Sequence, residues 1–81
     1  MTKLILYTKP RCHLCDEMKN ELASLGKDFE YDLVEVNIET DKDLFERYKE
    51  KIPALMINGI IFAKFRLDLN KLKTKLSVNN I

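Results

Sequence analysis

Tryptophan is absent from this 81-residue chain, and glycine, proline and cysteine each occur only twice. Each scarcity excludes something. Two Gly and two Pro are too few for a flexible linker or a low-complexity tract, and no segment repeats. Two cysteines cannot build the disulfide framework of a small secreted domain. One histidine beside two cysteines falls short of the four ligands of a structural zinc site, unless carboxylates or a second chain contribute. The formal net charge is only +1, so there is no strong field to gather nucleic acid or anionic lipid. No apolar run approaches the ~18 residues of a membrane-spanning helix. No leader combines positive charge, an apolar stretch and a small-residue cleavage site. These absences give the expectations of a cytoplasmic location, no nucleic-acid partner and no membrane partner.

Hydrophobic residues make up 46% of the chain and charged residues 33%, enough for one modest core. A single domain over residues 1–81 is expected. Charge is uneven along it: residues 1–40 carry five basic and eight acidic side chains, residues 41–81 nine and five. The basic excess falls largely on the C-terminal segment, where it reads as a solvated helix face.

Apolar spacing divides the chain into elements. Leu4 to Tyr7 is a short continuous apolar run, the pattern of a strand covered on both faces. Lys9-Pro10-Arg11 forms the loop after it. From Cys12 to Leu25, the positions Leu14, Met18, Leu22 and Leu25 recur at helical spacing, with Gly26 suited to the position just past the helix end. Leu33, Val34, Val36 and Ile38, interrupted by Glu35 and Asn37, read as a second strand. Asp41 to Glu50 reads as a helix with Leu44, Phe45 and Tyr48 inward, and Ile52-Pro53 breaks the pattern. Ala54–Ile57 and Ile60–Ala63 flank Asn58-Gly59, a hairpin signal, because that dipeptide tolerates the positive φ values of a tight turn. Asp68 is a candidate cap for a last helix lined by Leu69, Leu72 and Leu76. Met18 and Met56 read as core, and Tyr7, Phe62 and Phe65 as core or rim. The order βαβαββα implies parallel pairing through right-handed crossovers, then an antiparallel hairpin. An α/β fold with a four-stranded mixed sheet flanked by helices follows.

The chemistry-bearing feature is Cys12-His13-Leu14-Cys15, which holds both cysteines of the chain. Residues i and i+3 share a helix face, so two thiols so placed can close a small-loop disulfide. At a helix start the first of them meets unpaired N–H groups and the positive end of the dipole, which favour thiolate. Cys12 is thus the candidate nucleophile and Cys15 the resolving thiol. Metal binding between chains and inert packing are the other uses of such a pair. Haem attachment is excluded, because Asp16 follows the second cysteine where a histidine is required. His13, Lys9 and Arg11 place positive charge near Cys12 and are candidate tuners of its thiolate; Asp16 and Glu17 oppose them.

The element order, with a Cys-x-x-Cys after the first strand and a proline before the third, resembles the thioredoxin fold in its minimal glutaredoxin form. Tyr7 to Cys15 is similar to the glutaredoxin opening, where a lysine lies shortly before the motif. Cys12 to Glu17 reproduces the Cys-His-Leu-Cys-Asp-Glu string of small glutaredoxin-like proteins with a Cys-x-Leu-Cys motif. Ile52-Pro53-Ala54-Leu55 looks like the family's cis-proline segment, which lies beside the dithiol. The resemblance implies a thiol–disulfide oxidoreductase acting on protein disulfides or glutathione mixed disulfides. It implies a substrate strand pairing with the backbone of Ile52 at a cis Pro53. It also implies no bound organic cofactor, with glutathione or a reductase as electron donor, and a monomer. Two features depart from the pattern. Ala63-Lys64-Phe65 stands where glutathione-using members carry Gly-Gly, and the Trp-Cys-Gly-Pro-Cys of thioredoxin and its buried Asp are missing. A metal- or iron–sulfur-binding module and a protein-docking module remain the alternatives.

Overall fold

Side-chain alternation along the first strand sets the layers. The computed structural model describes residues 2–26, 29 and 31–79, the last three of them by backbone alone. Strand β1 (Thr2–Thr8) buries Thr2, Leu4, Leu6 and Thr8 on one side and leaves Ile5 and Tyr7 half-buried on the other. Helix α1 (His13–Leu25) buries Cys15, Met18, Leu22 and Leu25, a stripe at helical spacing. Met18, Leu22 and Leu25 join Leu4 and Leu6 in the main core. Strand β2 (Tyr31–Asn37) then pairs parallel with β1, Leu4 opposite Leu33 and Leu6 opposite Glu35.

A short 3₁₀ turn, Ile38–Thr40, follows, capped by the Asn37 side chain. Helix α2 (Lys42–Tyr48) begins at Asp41, whose carboxylate accepts from the N–H groups of Asp43 and Leu44 at 2.8 and 3.2 Å. Tyr7 points away from the main core and stacks on Tyr48, so α2 lies on the opposite face of the sheet from α1. Strand β3 (Ala54–Ile57) runs antiparallel to β1, and strand β4 (Ile60–Lys64) antiparallel to β3, giving the order β2-β1-β3-β4. Asn58 at φ 50° and Gly59 at φ 87° form the expected two-residue turn. Helix α3 (Leu69–Asn79) starts at Asp68, which accepts from the Lys71 N–H at 3.2 Å, and returns Leu72 and Leu76 to the main core. No described helix is long and apolar enough to cross a membrane.

Three details differ from the sequence pattern. The strand covered on both faces is β3, whose four residues are all buried; β1 is sealed on one side only. Strand β2 lies at the sheet edge with Leu33 and Val34 exposed, and Ile38 leaves the strand to be buried in the 3₁₀ turn. Gly26 keeps right-handed helical angles, φ −62° and ψ −12°. Its smallness serves a close approach instead: a Cβ there would lie 3.2 Å from the Tyr31 hydroxyl, which donates to the Leu22 carbonyl.

Candidate active site

The chain leaves β1 through Lys9, Pro10 and Arg11, all exposed, with Arg11 in the left-handed region at φ 61°. That conformation is uncommon outside glycine, and it delivers Cys12 as the N-cap of α1. Cys12 is extended (φ −106°, ψ 106°). Its Sγ accepts from the Cys15 N–H at 3.2 Å and its carbonyl from the Asp16 N–H at 3.1 Å. A sulfur in this position faces backbone donors and the positive helix end, both of which stabilise a thiolate. Cys12 and Cys15 are joined in a disulfide, their Cα atoms 5.2 Å apart. The two sulfurs are unequal. Cys12 is half-exposed, whereas Cys15 is buried with Ile38 and Ile52, against which Tyr7, Leu44, Phe45 and Tyr48 pack.

The candidate residues divide into two groups. Cys12, Cys15 and Ile52 meet in one apolar cluster, and the Ile52–Pro53 bond is cis, with Pro53 buried. His13 lies on the solvent side, 88% exposed, with Nε2 3.3 Å from Glu17 Oε1. Lys9 and Arg11 are exposed beside it in sequence.

Tyr48, read as an inward helix residue, and Phe65, read as core or rim, both take part in contacts around the site, as do Glu35 and Lys19. Tyr48 stacks on Tyr7 with ring centroids 4.5 Å apart, closing the far side of the Cys15 cluster. Phe65 sits at φ 67°, donates its N–H to the Pro53 carbonyl at 2.8 Å and stays 44% exposed. A hollow of about 110 Å³ runs between Phe65, Arg66 and the Leu14–Met18 side of α1. Glu35 accepts from the buried Thr8 hydroxyl at 3.0 Å and pairs with Lys19 at 3.2 Å. Lys19 also lies 3.5 Å from Asp16. The hydrogen bond and charge of Glu35 hold the Lys19 ammonium above the usual lysine range. Glu35, the interruption in an apolar strand, was the visible signal for this tie; the αL Phe65 and the Tyr7–Tyr48 stack had none. Among the described residues, no group of three or more His, Cys, Asp and Glu side chains converges as a metal site.

A disulfide-linked cysteine pair at the N-terminus of the helix after β1, with a cis-proline bond beside it on a four-stranded mixed sheet, defines a thioredoxin-fold protein of minimal size. Mitochondrial thioredoxin 3 of Saccharomyces cerevisiae in its oxidised form superposes with a TM-score of 0.66 over 95% of this chain and 77% of its own, at 14% identity, a likeness of fold alone. Protein Ne2328 from Nitrosomonas europaea is more similar: TM-score 0.81, 28% identity, 93% of this chain and 91% of the other. The glutaredoxin-like protein YDR286C homolog of Dictyostelium discoideum is 32% identical over 72 residues, covering 82% of this chain and 67% of the relative. The family model of the glutaredoxin-like domain (DUF836) matches residues 3–77, and the chain belongs to that family.

Proposed function

We propose that this protein is a thiol–disulfide oxidoreductase that reduces protein disulfides or glutathione mixed disulfides through Cys12 and Cys15. The observation that carries this reading is the inequality of the two sulfurs: one half-exposed at a helix N-terminus, the other buried one turn inward and within bonding reach. In the reduced form the Cys12 thiolate attacks a substrate disulfide. One substrate sulfur leaves as a thiolate and takes a proton, and a mixed disulfide forms. Cys15 then gives up its proton and attacks Cys12 Sγ, releasing the second substrate thiol and closing the Cys12–Cys15 disulfide. Two electrons have passed to the substrate. An external thiol, glutathione or the dithiol of a reductase, restores the pair. Lys9, Arg11 and His13 tune Cys12, and an extended substrate pairs with the backbone at Ile52 beside Pro53.

Equilibration in graded glutathione buffers, with thiol trapping and intact mass, tests the cycle. A reversible Cys12–Cys15 disulfide is expected, and the Cys15→Ser variant should accumulate a mixed disulfide on Cys12. Thiols that never pair in any buffer refute the catalytic reading and leave a metal-binding or docking module in its place.

A further inference from the structure

The open edge of β4 faces α3 across a groove that shares no lining residue with the dithiol. Two connected hollows form it. The larger, about 580 Å³, is bounded by Phe62 and by Lys71, Thr74 and Lys75 of α3. The smaller, about 210 Å³, is bounded by Ile57 and Ile60 and meets the first at Phe62 and Lys75. A bulge explains the apolar floor. Leu55 pairs with Ala63 and Met56 with Ile61, so Phe62 is an extra residue on β4, and it packs toward the main core under α3. Ile60 is 73% exposed at the groove's mouth. The wall is cationic: Lys71 and Lys75 stand at i and i+4, neighbours on a helix surface. Neither β4 nor α3 contains an acidic residue, and neither lysine is in an ion pair among the described residues.

We propose that this groove docks an acidic, amphipathic segment of a partner protein, with an apolar side chain on Phe62 and Ile60 and carboxylates against Lys71 and Lys75. Charge complementarity selects this occupant. A second copy docking groove to groove would set this lysine pair against another, and the bulge at Phe62 interrupts the ladder that edge-to-edge pairing requires. A flat lipid surface would meet Ile60 but leave the recessed Phe62 floor unfilled. The site is separate from the dithiol, so docking holds a partner without using the groups that exchange sulfur.

The test is fluorescence anisotropy with a labelled peptide of alternating glutamate and leucine, together with amide chemical shifts of the oxidised protein. Saturable binding is expected, with shifts confined to Ile60–Phe62 and Lys71–Lys75. The double substitution Lys71→Glu and Lys75→Glu should weaken binding about tenfold, equivalent to about 1.4 kcal/mol, while reduction of a small disulfide is unchanged. Both lysines are exposed, so the fold should survive; if it does not, Thr74→Glu on the same wall replaces the pair. The proposal is overturned by equal affinity for a lysine–leucine peptide, by shifts centred on Leu14 and Phe65, by binding of phosphatidylglycerol vesicles with none of the peptide, or by no saturable binding at all.

Discussion

Tyr31 and Gly26 should be energetically coupled, and the structure fixes the size of the effect. The Tyr31 hydroxyl donates to the Leu22 carbonyl, which also accepts from the Gly26 N–H at 3.1 Å. Tyr31→Phe therefore removes one hydrogen bond without orphaning its acceptor, a loss of about 0.5–1 kcal/mol. Gly26 has helical angles that alanine adopts freely, so Gly26→Ala should stabilise by about 0.4–1 kcal/mol through the unfolded chain. In the native protein, however, the new Cβ would lie 3.2 Å from the Tyr31 oxygen, tight enough to displace it. The single substitution Gly26→Ala should then be close to neutral, and the same substitution in Tyr31→Phe clearly stabilising. Urea unfolding of the four proteins at constant m measures this directly. Effects that add to within about 0.3 kcal/mol would refute the close approach. A pH arm is independent. Burial raises the Tyr31 pKa above the usual tyrosine value of 10.0, so the folded protein holds that proton longer than the unfolded chain does. The associated stability is full below that value and is lost as pH rises through the raised one. The gap between the native protein and Tyr31→Phe should narrow above pH 10.0; a gap that widens there contradicts the assignment.

Asp41→Ala deprives α2 of an N-cap acceptor for two N–H groups and should lower unfolding free energy by about 1 kcal/mol, read in the same urea experiment. Leu72→Ala empties a fully buried position between α3 and the sheet and should cost about 2–5 kcal/mol, a large part of the stability of so small a domain and visible as a lowered thermal midpoint.

Much of the scaffold was legible because it depends on local chemistry. The Asn58-Gly59 turn needs two positive φ values that this dipeptide supplies, and Asp41 and Asp68 carry the short side chains that caps require. The spacing of Met18, Leu22 and Leu25 specified one buried helix face. Where the reading slipped, a distant partner decided. Gly26 suited the position just past the helix end, where it lies, but the spacing did not show that its close neighbour is Tyr31, on the next element. Leu33 and Val34 read as strand residues, as they are, but only pairing order reveals that β2 is an edge and leaves them exposed. The apolar run of β1 carries no mark that Ile5 and Tyr7 face a side covered only by the short α2.

The sequence by itself determined the dithiol, the order of the elements and the family, since each depends on residue type and spacing along one stretch of chain. Tertiary structure decided what the two sulfurs see. Cys15 is buried because Ile38 of the 3₁₀ turn and Ile52 of the loop before β3 converge on it, with Tyr48 stacked across Tyr7. Pro53 is tied to Phe65 by a bond across the hairpin, and the lysine-walled groove exists only where a bulge on β4 turns Phe62 beneath α3. Such contacts join residues far apart in sequence. Their geometry follows from strand order and helix placement, and no local pattern encodes it.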